Sequence, residues 1–254
     1  MSESLPIPSD FYTGLVAELY EPLRSTRFDV EPYVNFVTRS GQPALELGCG
    51  AGDPILELRA RGLEVEGLDS SQDMLFRCAE AAAHRRVGVV LHHCTIESMD
   101  LGRRYKSIYL AGATFNLLPD DDTMRVALER IAAHLEPGGS ALIPLFIPSP
   151  DEGGGAGTVR EHLTDDSRLM RLTVVSVGRD ADARVQRTHL RYELIEGERV
   201  DAVERAWLLH WIEQDHFRTM ATNAGLVVRA VFAENGDKAQ VDDSSFVFLL
   251  SLDE

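Results

Sequence analysis

A glycine-rich turn between a strand and a helix constrains this chain more than any other feature. The segment Glu46-Leu47-Gly48-Cys49-Gly50-Ala51-Gly52 places three glycines at alternate positions. Before it, Pro43-Ala44-Leu45-Glu46-Leu47 is a short apolar run that reads as a buried strand. After it come Asp53, a good helix N-cap, and Pro54, which suits a first helical turn. Residues 55–61 continue that helix, and Gly62 stops it. Glycines here remove the Cβ atoms that would hold a ligand away from the backbone. At this point the segment reads either as a tight turn with no ligand or as a ligand cradle.

The alternation of strand and helix extends well beyond the turn. Two amphipathic helices at 15–20 and 30–39 precede it. Strands are expected at 63–68, 87–92, 107–111 and 140–146, and helices at 71–85 and 122–135. Pro137-Gly138-Gly139 turns the chain into the fifth strand. Such alternation predicts an α/β fold with a parallel sheet and helices on both faces. After Phe146 the pattern changes. A Pro/Gly/acidic loop at 148–157 leads to three strands at 168–177, 184–196 and 199–211. Gly178-Arg179-Asp180 and Glu196-Gly197-Glu198 separate them, with no helical segment between, so they form an antiparallel meander. A helix at 214–224 and strands at 226–232 and 246–252 close the chain. The whole, 1–254, reads as one domain with seven strands in its main sheet and an antiparallel β insertion, or lid, at 156–211.

A formal net charge of −16 repels phosphate backbones and anionic lipid headgroups. The adjacent basic pairs Arg85-Arg86 and Arg103-Arg104 are too short to make a patch. A small-molecule substrate is therefore expected, not nucleic acid or membrane. No run approaches the roughly 18 apolar residues of a membrane span. The first ten residues lack the basic and apolar regions of a secretory signal. Cys49, Cys78 and Cys94 are odd in number and lack metal-ligand spacing, which suits core residues in a reducing cytoplasm.

Charge around the turn narrows the ligand. Glu46 and Asp53 flank the glycines, and two carboxylates repel a pyrophosphate while suiting a ligand with a sulfonium and an ammonium. The spacing is G-x-G-x-G, not the G-x-G-x-x-G of dinucleotide sites. Asp69 ends the second strand about 20 residues on, where a carboxylate accepts hydrogen bonds from ribose hydroxyls. It is equally placed to cap the next helix, a role that Ser70 or Ser71 also fits.

This combination resembles the class I S-adenosylmethionine (SAM) dependent methyltransferases, over residues 11–146 and more loosely over the closing helix and strands. The small-molecule branch, with its sugar N-methyltransferases and glycine methyltransferase-like enzymes, is the nearer likeness. An aromatic N-terminal helix (Phe11-Tyr12 to Tyr20), the Leu135-Glu136-Pro137-Gly138-Gly139 turn and the insertion after the fifth strand support it. The resemblance implies a Rossmann-like seven-stranded, mostly parallel sheet and SAM as cofactor, with S-adenosylhomocysteine as product. It implies that Gly48, Gly50 and Gly52 line the methionine part, that Glu46 orients the turn or meets the ammonium through water, and that Asp69 holds the ribose. Ser70 and Met74 would border ribose and adenine. Thr95 and Ile96 follow the third strand, where the family often has an acid on the adenine amino group; Thr95 departs from that pattern. Ala111 and Thr114 would approach the methionine, and Tyr12 and Tyr20 would close over it. Lys106 stands where the family commonly has Asp.

Methyl transfer from a sulfonium is a direct displacement with a neutral leaving group, so alignment and exclusion of water matter most. Nitrogen acceptors need an unprotonated amine; hydroxyl acceptors call for a base, and His162, His189 and His210 are the candidates. The acceptor is expected over the strand C-terminal ends, among Phe115, Asn116, Phe146, Arg160, Trp207 and Trp211. The two tryptophans read equally as meander core. Two other functions fit the residues: a SAM-pocket protein without methyl transfer, such as a binding module or pericyclic enzyme, and a nicotinamide-dependent oxidoreductase. The expected assembly is a monomer, or a homodimer through the insertion's strand edges.

Overall fold

A computed structural model of the chain describes residues 11–24, 29–149, 155–233 and 235–252. The stretch 1–10, read above for a secretory signal, and positions 150–154 of the loop after the fifth strand lie outside the described residues.

Helices α1 (Leu15–Leu23) and α2 (Glu31–Ser40) lead into β1 (Ala44–Leu47), α3 (Ile55–Ala60), β2 (Val65–Asp69), α4 (Gln72–Arg85) and β3 (Val90–His93). Then come β4 (Tyr105–Leu110), α5 (Asp121–His134) and β5 (Leu135–Phe146), with 3-10 turns at Ile96–Ser98 and Thr114–Leu117 on either side of β4. The insertion supplies β6 (Val159–Leu163), β7 (Leu169–Asp180), β8 (Val185–Glu196) and β9 (Arg199–His210). The closing elements are α6 (Gln214–Asn223), β10 (Leu226–Ala233) and β11 (Ser245–Leu252).

The main sheet runs β10-β11-β5-β4-β1-β2-β3. Strands β1 to β5 pair in parallel, and β11 is antiparallel to both β5 and β10. Strand β1 is buried on both faces, which is why its sequence is apolar at every position but Glu46 and shows no apolar/exposed alternation. Leu45 and Leu47 pack on the side of α5 and α6, through Met124, Leu128, Phe217 and Met220. Ala44 packs on the other side with Phe36 of α2, Leu58 of α3 and Leu75 of α4. Each fully buried leucine is worth about 1.5–3 kcal/mol. Strand order reverses between β1 and β4, and an open α/β sheet binds its ligand in the crevice at that point, outside the strand C-termini.

The insertion is a four-stranded antiparallel sheet, β6-β7-β8-β9. Strand β8 alternates, burying Leu190, Tyr192 and Leu194 and exposing His189. The buried face packs on Phe11 and on Val16, Leu19 and Leu23 of α1. The N-terminal helix is thus sandwiched into the insertion's core.

Four local expectations change. The meander has a fourth strand, β6, which Val159-Arg160-Glu161-His162-Leu163 hides because all five residues are exposed and show no apolar face. The turn expected at Gly178-Arg179-Asp180 is strand; the chain reverses just after it, where Asp180 Oδ1 accepts from Ala183 N at 2.9 Å. Asp53 does not cap α3, whose flanking position is Pro54; its carboxylate instead pairs with Arg24 at 2.5 Å. Pro137-Gly138-Gly139 lies within β5, where the register against β4 shifts.

Candidate active site

The glycine turn is tied to the end of β2. Gly48 N and Cys49 N donate to Leu68 O at 2.7 and 3.0 Å, and Gly50 N donates to Asp69 Oδ2 at 2.8 Å. Gly48 has φ +71°, and a Cβ there would stand 2.5 Å from Thr114 Cγ2, so only glycine lets the loop after β4 close on the turn. Gly52 serves packing: a Cβ would meet Leu56 at 2.7 Å and Cys78 Sγ at 3.0 Å.

Asp69 Oδ1 also accepts from Ser71 N at 2.8 Å. Burial raises the Asp69 carboxyl's pKa, and the two backbone donors work against that rise. The cap of α4 is Ser71, whose Oγ accepts from Met74 N at 3.2 Å. The same hydroxyl donates to Tyr12 O at 2.5 Å, and Gly14 N donates to Asp73 Oδ2 at 2.6 Å. The start of α4 therefore anchors the segment entering α1.

Above the turn lies a cavity of about 390 Å³. Of the residues picked out from sequence, Tyr12, Tyr20, Gly48, Gly50, Asp69, Ser70, Met74, Thr95, Ile96 and Thr114 line it. Glu46, Gly52 and Ala111 do not. Ala111 is buried in the core on the α2–α4 side of the sheet. Leu68, Cys94, Glu97, Leu117, Leu118, Pro119, Asp120 and Thr123 line the cavity as well, and sequence reasoning missed them. Leu68 lies in β2 and Thr123 in the first turn of α5; for the others the one signal was position, in the segments that follow β3 and β4.

The acidic character of the site comes from different residues than expected. Asp53 is neutralised by Arg24. Glu46 is fully buried beneath the turn, its Oε2 accepting from Tyr109 Oη at 2.6 Å and its Oε1 without a partner among the described residues. The acids that reach the cavity are Asp69, Glu97 and Asp120. Burial holds the Glu46 carboxyl well above its ordinary value of 4.5, against the Tyr109 hydrogen bond. A raised folded pKa favours the neutral form. The stability linked to Glu46 is therefore full below 4.5 and falls away as pH rises through the folded value. We expect melting temperature in the cofactor-free protein to drop more steeply with rising pH than in Glu46→Gln, measured by calorimetry from pH 4.5 upward. Parallel curves would contradict this.

Tyr12 and Tyr20 meet edge to face with centroids 5.2 Å apart. Burial raises both phenol pKa values above 10.0, so both keep their protons and serve as hydrogen-bond donors. Trp207 packs beside Tyr12 in the α1–insertion core, its buried Nε1 without a hydrogen-bond partner among the described residues.

The residues expected at the acceptor scatter. Phe115 is fully buried against Phe217, with centroids 5.7 Å apart. Asn116, also fully buried, donates from Nδ2 to Phe146 O and His210 O, both at 3.0 Å, and accepts from Phe146 N at 3.1 Å. The 3-10 turn after β4 sends both side chains inward, so they and the backbone of Phe146 build the frame and not the cavity. Trp211 lies past the end of β9, is buried, and carries the Arg179 guanidinium 4.2 Å over its ring. Arg160 stands on exposed β6, opposite Leu172; burial raises the Tyr192 phenol pKa, and the Arg160 charge opposes that rise only in part. None of the three histidines lines the cavity. His162 is exposed on β6 and His189 on the outer side of β8. His210 is buried with Nε2 3.3 Å from Asp121 Oδ1, and burial lowers its pKa.

A methyltransferase-domain family model matches residues 44–139, from β1 to the turn within β5. The dTDP-3-amino-3,6-dideoxy-alpha-D-glucopyranose N,N-dimethyltransferase of Streptomyces fradiae is 30% identical over 173 residues, covering 64% of this chain and 66% of its own length. The dTDP-4-amino-2,3,4,6-tetradeoxy-D-glucose N,N-dimethyltransferase of Saccharopolyspora spinosa is 25% identical over 236 residues, 89% of this chain and 91% of its own. The chain belongs to the class I SAM-dependent methyltransferases. Its fold is also that of the CcbJ methyltransferase from Streptomyces caelestis, with a TM-score of 0.76 over 98% of each chain at 22% identity. SAM is the cofactor of this methyltransferase, which sets aside the nicotinamide oxidoreductase reading. The acidic wall accords with it: a cationic sulfonium and the donors of an adenosyl group suit carboxylates that would repel a pyrophosphate.

Proposed function

We propose that the chain transfers the methyl group of SAM to a nitrogen of a small-molecule amine, of the amino-sugar class carried on a nucleotide. The observation that carries this reading is the cavity itself. It joins a glycine cradle and Asp69 to two protonated tyrosines, and among the described residues no histidine lines it. The two relatives described above, named for N,N-dimethylation of dTDP-amino sugars, support the nitrogen acceptor.

In this reading Asp69 holds the ribose, Met74 and Ile96 enclose the adenine, and Gly48, Gly50 and Thr114 bound the methionine end. Bound SAM supplies an electrophilic methyl on a positively charged sulfur. The chain's own task is to hold the amine in line with that methyl and keep water out. Tyr12 and Tyr20 close the cavity and orient the acceptor by donating hydrogen bonds. The insertion, 156–211, roofs the acceptor within one functional unit, with Arg160 and Trp207 on its inner face. A charge of −16 supports a small-molecule partner over nucleic acid, with local arginines meeting any substrate phosphates. Three unpaired cysteines support a cytoplasmic setting. Among the described residues no helix is long and apolar enough to cross a membrane. The free edges of β6 and β9 suit either a monomer or a homodimer through the insertion, which sedimentation separates.

The test is a panel of dTDP-amino sugars, and of the same sugars with hydroxyl in place of the amine, incubated with isotopically methyl-labelled SAM. Label is expected on the amino sugars only. Transfer to the hydroxyl sugars alone, or to none of the panel, overturns the proposal.

A further inference from the structure

One face of the insertion changes character where it nears the cavity. Along β8 the inward residues run Gln186, Thr188, Leu190, Tyr192 and Leu194. The last three belong to the core around α1. The first two are polar, keep only 9% and 7% exposure, and make no side-chain hydrogen bond among the described residues. Thr188 stands opposite Trp207 and Gln186 opposite Leu209, and residues directly opposite in an antiparallel pair share a face. The Trp207 Nε1 is buried there, also without a partner. In the other direction Val177 of β7, opposite Thr188, is 42% exposed. An exposed apolar side chain beside buried, unsatisfied polar ones lines a recess and not a packed core, because polar groups sealed in a core without partners cost free energy.

Walls of the cofactor cavity bracket this patch. At one end Trp207 packs beside Tyr12, which lines the cavity. At the other, β9 ends at His210, whose carbonyl accepts from Asn116 Nδ2 at 3.0 Å, and Thr114 and Leu117 of the same 3-10 turn line the cavity too. Gln186, Thr188 and Trp207 carry no formal charge. Arg179, opposite Gln186, is committed to Pro148 O and to the Trp211 ring. What remains is an indole N–H that only donates, and a hydroxyl and an amide that both donate and accept. A phosphate or a carboxylate calls for cations, and a bare hydrocarbon ring calls for none of these groups. A ring hydroxyl, which donates and accepts, matches all three. We propose that Gln186, Thr188 and Trp207 recognise a ring hydroxyl of the acceptor, so that the chain selects amino sugars that keep such a hydroxyl over their deoxygenated counterparts. This selection rests on the amino-sugar reading above.

The experiment compares kcat/KM for dTDP-3-amino-3,6-dideoxyglucose and for the same amino sugar without its ring hydroxyls at carbons 2 and 4, a pair that shares one amine position. A site built to hydrogen-bond a hydroxyl disfavours the analogue that lacks it, here by at least about tenfold in the wild-type chain. Thr188→Val and Gln186→Leu should bring that ratio toward one, through a higher KM for the hydroxylated sugar. Thr188→Ser keeps a hydroxyl and should keep the preference. Trp207→Phe keeps an aromatic ring without the N–H and should lower the ratio in the same direction. Calorimetry with S-adenosylhomocysteine should give the Thr188 and Gln186 variants an affinity within about threefold of wild type, which establishes an intact cofactor site. A wild-type ratio near one, a ratio unchanged in Thr188→Val and Gln186→Leu, or an equal loss on both sugars overturns the proposal and leaves the amino-sugar reading standing. Methylation of neither sugar by the wild-type chain overturns that reading, and this proposal with it.

Discussion

Asp69→Ala is expected to weaken S-adenosylhomocysteine binding by at least about 100-fold while leaving the chain folded. Two hydrogen bonds from ribose hydroxyls to a charged carboxylate are worth about 1.5–3 kcal/mol each, and 1.4 kcal/mol is tenfold in affinity. The same carboxylate also accepts from Gly50 N and Ser71 N, so it sets the position of the glycine turn as well as the cofactor's sugar. Asp69→Asn separates these roles. It keeps one acceptor oxygen and the shape, so its loss should fall between wild type and alanine. Calorimetric titration of the three proteins is the measurement. An alanine variant that binds within about threefold of wild type removes Asp69 from the cofactor site.

Asn116→Ala is expected to cost about 3–5 kcal/mol of stability. Its side chain makes three hydrogen bonds to main-chain atoms that are far apart in sequence, those of Phe146 at the end of β5 and His210 at the end of β9. Removing it strands those groups in a region where Asn116 itself has no exposed surface. Denaturant unfolding should show an earlier midpoint, and the affinity of S-adenosylhomocysteine in the folded protein should change little. A variant as stable as wild type but poor in turnover would return Asn116 to the acceptor site.

Those two residues mark what sequence can and cannot say. Asp69 was legible because a strand end followed by a helix start puts a side chain at the sheet's C-terminal edge, whatever the surrounding topology. Asn116 was misplaced because a residue shortly after a strand can face either the crevice or the core. The 3-10 turn Thr114–Leu117, which decides that, has no strong local code. The parallel strands could be found because burial on both faces demands mostly apolar runs, as in Ala44-Leu45-Glu46-Leu47, where Glu46 is the one polar side chain. Strand β6 escaped because both of its faces are exposed. The charge argument at the glycine turn rested on Glu46 and Asp53, neither of which lines the cavity; the acids that do are Asp69, Glu97 and Asp120. The partner that neutralises Asp53 is Arg24, 29 positions away, and no local pattern announces such a pair. Glu97 and Asp120 were passed over because their acidity only matters once the fold has brought β3 and α5 to one cavity.

Ser71 ties these parts into one mechanical arrangement. Through its hydroxyl it holds the main chain at Tyr12, and Tyr12 is both a wall of the cofactor cavity and a neighbour of Phe11, which is buried under the insertion. Loss of the Ser71 hydroxyl is therefore expected to loosen the cavity wall at Tyr12 and the packing of Phe11 beneath the insertion together.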